Sequence, residues 1–124
     1  MIIRPASRKD CQAIYALYQN EKWISFTEEK VTSLFSTNLS HYLVLEEDQK
    51  ILGIARYLTD EVMTTFLAEI IIDKSHRRKG MGQQLIEEIH KKYPLTRIEL
   101  ISEADGFYRS ISFKPVGTGF RKSE

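Results

Sequence analysis

"IIIDKSHRRKGMGQQLIEEI", residues 70–89, opens with three consecutive isoleucines, then has four Lys or Arg among the six positions from Lys74 to Lys79, glycines at 80 and 82, and an amphipathic run. The isoleucines read as a buried strand and the run after Gly80 as a helix, so a strand feeds a helix through the loop "DKSHRRKG". The first turn of a helix has backbone N–H groups without intrahelical partners and carries the positive end of the helix dipole. Glycine at that junction lets an anion approach the backbone, and Arg77, Arg78 and Lys79 add full positive charges beside it. The alternative is an ordinary solvated basic turn. The glycine pair at a strand-to-helix junction favours a diphosphate cradle.

Outward from that stretch, the chain has the size of one domain: 124 residues, 42% hydrophobic, with three prolines and a net charge of +1. That length supports a core, and the composition argues against disorder. No apolar run approaches a membrane span, and "MIIRPASRKD" lacks the apolar stretch of a signal peptide. The single Cys11 cannot form an internal disulfide, which fits a reducing, cytoplasmic location, and it lies on the apolar face of the first helix as a core thiol. With no global field to attract nucleic acid or anionic membrane, any anion site must be local.

The pattern predicts a strand at Ile2–Arg4, then a helix started by a Ser7/Asp10 capping box. A second helix is capped by Thr27. A hairpin follows (Tyr42–Leu45 and Ile51–Leu58, with a polar turn between), then a strand from about Thr65 to Ile72. The helix from Gly80 is stopped by Pro94. A strand at Arg97–Ser102, a short helix in "ADGFYRSI" and a terminal strand in "FKPVGTGFRK" complete a mixed α/β domain.

Other phosphate motifs are absent. There is no G-x-x-x-x-G-K-[S/T] loop, and Gly80-Met81-Gly82 lacks the third glycine of a dinucleotide fingerprint. Four basic residues in one loop fall short of a nucleic-acid face with interleaved aromatics. His41, His76 and His90 show no metal-ligand spacing, so no metal is expected.

Arg77-Arg78-Lys79-Gly80-Met81-Gly82, after "AEIIIDKSH" and before "FYRSISF", resembles the R/Q-x-x-G-x-G/A signature of the GNAT superfamily of N-acetyltransferases, and the similarity covers nearly the whole chain. It implies one N-acetyltransferase domain over residues 1–124. The fold it implies is a GNAT-like α/β fold: a mixed, mostly antiparallel sheet of six to seven strands flanked by four helices, with a splayed cleft between strands 4 and 5. It implies acetyl-coenzyme A as co-substrate, with backbone groups of Ile70, Ile71 and Ile72 pairing with the pantetheine arm. Amides from Arg77 to Gly82 (Arg77, Arg78, Lys79, Gly80, Met81 and Gly82) would hold the pyrophosphate.

Acetyl transfer needs a deprotonated amine, and an ammonium has a pKa of ~10. Tyr108 matches the family's general acid. Glu69, a charge in an otherwise apolar strand, stands where several relatives carry an acidic residue near the acceptor amine, which implies a catalytic role as base or amine anchor; the alternative is a structurally paired residue. Trp23, Arg56 and Asp60 are weaker candidates for the acceptor side, with ordinary surface roles as the alternative. Two positions depart from the family: Ser112 stands where a left-handed helix end favours glycine, and "SEADGFY" lacks an asparagine that many relatives carry. The short tail leaves the acceptor cleft open to completion by a partner subunit, so a homodimer is an open expectation. The expected activity is acetyl-coenzyme A-dependent transfer to a primary amine by direct attack in a ternary complex. The alternatives are a non-catalytic acyl-coenzyme A-binding or sensing module and a nucleic-acid-binding protein using the basic loop. The acceptor is not legible.

Overall fold

The computed structural model describes residues 1–123. Five strands, β1 (Ile2–Pro5), β2 (His41–Glu47), β3 (Lys50–Thr59), β4 (Thr64–Ile72) and β5 (Arg97–Glu99), form one sheet in the order β1-β2-β3-β4-β5. The helices are α1 (Cys11–Asn20), α2 (Glu28–Leu34), α3 (Met81–Lys92) and α4 (Asp105–Ser110). Neighbouring strands are antiparallel except β4 and β5, which are parallel because α3 crosses between them.

Local chemistry explains most boundaries. Ser7 donates its N–H to the Asp10 carboxylate at 2.8 Å, and a 3-10 turn at Arg8–Asp10 leads into α1. The same carboxylate takes two hydrogen bonds from Arg4, whose guanidinium also reaches Glu46 and so ties β1, β2 and the start of α1 together. The Thr27 hydroxyl accepts the Lys30 N–H at 3.2 Å, capping α2. Asp48 and Gln49 both have positive φ, the geometry of a two-residue hairpin turn between β2 and β3.

The sheet is covered on both faces. Ile14, Leu17, Tyr18 and Val31 from α1 and α2 pack on Val44, Ile54 and Ile71, while Met81, Leu85, Ile86 and Ile89 of α3 pack on Leu43, Leu45, Ala55 and Leu67.

The expectation of six to seven strands is corrected: the described residues form five. Residues 113–122, "FKPVGTGFRK", run without regular structure. Pro115 has no N–H to give a ladder, and Gly117 and Gly119 have no side chains to pack, so the segment has little to hold it extended. β5 ends at Glu99, short of the expected Ser102. Its ladder with β4 stops at the Phe66–Glu99 pair. One residue later β4 carries a β-bulge: Tyr57 pairs with Leu67 and Arg56 with Glu69, leaving Ala68 unmatched. Bulges bend a strand and raise its twist. From Leu67 to Ile72, β4 has a partner only on its β3 side.

α4 ends in a Schellman motif. Phe113 N–H reaches Tyr108 C=O at 3.0 Å, Ser112 N–H reaches Arg109 C=O at 3.2 Å, and the rings of Tyr108 and Phe113 meet edge to face. Ser112 has φ 76°, so serine does occupy the left-handed position.

Candidate functional site

The loop between β4 and α3 is organised by its own side chains. Asp73 accepts from the Ser75 hydroxyl at 2.6 Å and lies 2.9 Å from His76 Nδ1. The Ser75 hydroxyl and His76 together hold its carboxyl below the usual carboxylate range. Gly80 adopts φ 79° as the N-cap of α3. A Cβ there would meet nothing within 4 Å, so glycine is required by conformation, not by space. The amides of Met81, Gly82 and Gln83 lie in the first turn of α3, where no intrahelical carbonyl is available to them. Arg77 is already engaged: its Nε donates to Ile72 C=O at 3.0 Å, and its Nη2 pairs with Glu21 just beyond α1.

Alternation along β4 decides which backbone groups face the gap. Asp73 N–H donates to Leu52 C=O on β3, so Ile71, two residues back, also turns its backbone to β3. Ile70 and Ile72 therefore point theirs to the side that β5 has left. Of the expected set Ile70, Ile71 and Ile72, the backbone of Ile71 is engaged in the ladder with β3. Its side chain is buried under α1 and α2.

Gly82 has an unforeseen neighbour. A Cβ at this position would lie 3.1 Å from Phe107 Cζ and 3.7 Å from Ile70 Cδ1, so its missing side chain makes room for α4 to dock.

Glu69 is paired. Arg56 grips it bidentately at 2.6 and 2.7 Å, and the Tyr18 hydroxyl donates to it at 2.7 Å. Tyr18 in turn meets Tyr42 at 2.8 Å, and Arg56 reaches Ser40. The Arg56 and Glu69 side chains are only 16% and 11% exposed. Burial alone would lower the Arg56 guanidinium, but the hydrogen bonds and charge of Glu69 leave it raised. Burial, followed by the Glu69 charge, pushes the Tyr18 phenol far above its ordinary value. Burial also takes Tyr42 up to about 12.

Trp23 and Phe26 pack beside this network, Phe26 stacking on Tyr18 with ring centroids 4.0 Å apart. The structure thus gathers Trp23, Arg56 and Glu69 around Tyr18. Asp60 stands elsewhere, with one oxygen accepting the N–H groups of Val62, Met63 and Thr64 in the β3–β4 turn, and those bonds lower its pKa. It organises a turn, apart from the other acceptor-side candidates.

Tyr18 and Tyr42 escaped sequence reading because they sit on apolar faces of α1 and β2. The signal for them was indirect: two opposite charges in apolar strands need polar company when buried.

Tyr108 is half-buried, and burial raises its pKa. Its hydroxyl makes no hydrogen bond among the described residues. It lines an open groove of about 910 Å³ beside β5, together with Ile98, Leu100 and Phe113. Ile70 and Ile72 do not line that groove, and of α4 it is Phe107 that, with the Ile70 side chain, closes over Gly82.

Comparison with known proteins matches residues 38–115 to the family model of an acetyltransferase (GNAT) domain. A histone acetyltransferase TAP1 of Glycine max is 25% identical over 96 residues, covering 73% of this chain and 42% of the relative. The chain therefore spans about two-fifths of that relative's length. A GNAT-family acetyltransferase of Streptococcus pneumoniae superposes with a TM-score of 0.78 over 99% of this chain and 98% of its own, at 21% identity. An aminoglycoside N-acetyltransferase, AAC(6')-Iy, solved in complex with CoA, superposes with a TM-score of 0.80 over 99% of this chain and 93% of its own, at 12% identity. At such identities the structural matches speak for the fold.

Proposed function

The chain belongs to the GNAT family of acetyltransferases, and on that premise we propose that it binds acetyl-coenzyme A and transfers the acetyl group to a primary amine by direct attack within a ternary complex. The observation that carries the proposal is the continuity of two free backbone surfaces. The groups of Ile70 and the N–H of Ile72 face the open side of β4, and the first-turn amides of α3 follow within ten residues. An extended amide-bearing arm fits the first surface as an added strand would, and a diphosphate fits the second.

In this reading Gly80, Met81 and Gly82 present amides to the pyrophosphate, Arg78 and Lys79 add charge, and Arg77 keeps the Ile72 carbonyl occupied. The thioester supplies an activated carbonyl and a thiolate leaving group of pKa ~8.5. Tyr108, protonated at neutral pH, donates a proton to that thiolate. The acceptor amine approaches from the side of Trp23, and water removes its proton unless Glu69 is freed from Arg56.

The engagement of both Glu69 oxygens favours a second reading, a non-catalytic acyl-coenzyme A-binding module. Two measurements separate the readings. Titration with coenzyme A should raise the melting temperature, since a ligand that binds only the folded chain stabilises it. Incubation with acetyl-coenzyme A and a panel of polyamines, aminoglycosides and peptides should release free thiol with one acceptor class. Binding without thiol release would leave the binding module, and no thermal shift at about 1 mM coenzyme A, some thousandfold above a micromolar dissociation constant, would reject both.

A further inference from the structure

The outer edge of β5 has no backbone partner among the described residues. Arg97 donates its N–H to Met63 C=O at 2.8 Å, so Arg97 and Glu99 turn their backbones to β4. By alternation Ile98, at the centre of the strand, points its N–H and C=O outward, as does Leu100. No residue of the segment 113–123 donates a backbone bond to β5 or accepts one from it. Open edges are usually guarded by proline, lysine or a bulge, and "TRIEL" has none of these in a blocking position.

The sequence along that edge is self-complementary. An antiparallel copy related by a two-fold axis at Ile98 would place Ile98 against Ile98 as a hydrogen-bonded pair. Arg97 would face Glu99 of the other copy, and Glu99 its Arg97, as non-hydrogen-bonded pairs. In such pairs opposed Cα atoms approach to about 4.5 Å, so the two charge pairs fall where cross-strand side chains are closest. Leu100 would donate to the carbonyl of Thr96, whose own N–H is already used by Tyr93. Leu95 and Ile101, 85% and 59% exposed, flank the motif and would face one another across the seam. A parallel arrangement would instead set like charges abreast.

We propose that β5 is an interaction surface for a second copy of this chain, joining two sheets into one across a two-fold seam centred on Ile98. Such an interface is isologous, each copy offering the same patch. The occupant is another copy because the register that satisfies the backbone also pairs every charge on the strand. The groove beside β5, lined by Ile98, Leu100, Val116 and Gly119, provides the room.

The test is sedimentation of the intact chain from about 1 µM to about 1 mM, the range in which a small edge-to-edge interface dissociates. Self-association is expected, weakening as salt rises because the Arg–Glu pairs are exposed. Arg97→Glu and Glu99→Arg each turn two attractive pairs into two repulsive ones and should each weaken association by about tenfold or more. Mixed together the two variants should associate again, since every pair is then opposite in sign, and the doubly swapped chain should behave like the original. Hydrogen exchange should show the Ile98 and Leu100 amides protected only at high concentration. Association indifferent to the single reversals, no association at any concentration, or protection of these amides in the monomer by the chain's own 113–123 segment would each overturn the proposal.

Discussion

Tyr108 is where one hydroxyl separates two readings. If it is the proton donor to the leaving thiolate, Tyr108→Phe should lower kcat by roughly 10- to 100-fold and leave coenzyme A affinity nearly unchanged. Steady-state kinetics with an accepted amine check this, and a kcat within about threefold of the parent assigns the proton to water. Asp10 offers a pH test. Arg4, by hydrogen bond and charge, holds its carboxyl below the ordinary range, and the Ser7 N–H adds to this. A carboxyl lowered by folding contributes stability above its unfolded pKa of ~3.9 and loses it as the pH falls through the folded value. Asp10→Asn should therefore cost about 1–2 kcal/mol at pH 7, discounted because Arg4 is one-third exposed, with the gap to the parent closing below about pH 4. Urea titrations at pH 7 and pH 3 read both limits. At this scale the sequence was eloquent about backbone and quiet about side-chain company. Gly80 and Ser112 both adopt left-handed φ, but only Ser112 could be read from helix-end rules, since an N-cap ordinarily has extended φ and ψ. That Gly82 is vacant for Phe107 could not be read, because the two residues meet only when α4 docks.

α4 is held by little besides its aromatic contacts: six residues, none fully buried, closed by the Schellman turn. Its docking depends on the space above Gly82. Gly82→Leu should push Phe107 away, cost about 1–3 kcal/mol, and raise amide exchange across residues 105–110. Gly80→Ala meets no atom and should cost only about 1 kcal/mol of left-handed strain, leaving that exchange unchanged. Exchange mass spectrometry on the two variants distinguishes a packing glycine from a conformational one. A second link joins elements distant in sequence, for Glu21 holds Arg77 and so ties the segment after α1 to the anion loop. Exposed ion pairs contribute little, so Glu21→Gln should move stability by less than about 1 kcal/mol. With one negative charge removed beside a diphosphate site, coenzyme A should bind about two- to fivefold tighter, and calorimetry at low salt would show it. Elements themselves were mostly legible, since β4, the loop and α3 each carry their own period and caps. The terminal strand was misread because local apolar residues suggested a strand, whereas a strand exists only if it finds a neighbour.

Across the whole molecule, the Arg56–Glu69 pair with Tyr18 and Tyr42 binds α1, β2, β3 and β4 beneath one layer of helices. Removing one partner from such a pair strands the other charge away from water. Glu69→Gln should cost roughly 2–4 kcal/mol, less than a fully buried pair would. Adding Arg56→Met should recover part of it, and chemical denaturation measures both. If Glu69 also served as a base, turnover per folded molecule would fall most near neutral pH and recover at high pH, where free amine is abundant. Element order and the mixed sheet were readable because hydrophobic period and helix caps are local. The network was not, because it is assembled by register. That register turns on Ala68. Before the bulge Leu67 faces α3, and after it Glu69 faces α1, although the residues are two apart and an unbroken strand would send both the same way. The bulge is a phase shift written into one strand, and the fold depends on Ala68 staying out of the ladder more than on its side chain. Were Ala68 to pair with Arg56, every residue beyond would invert, sending Glu69 into the α3 core and turning the backbone of Ile71, instead of Ile70 and Ile72, toward the gap, whereas deleting Ala68 would close the bulge and leave Glu69 opposite Arg56.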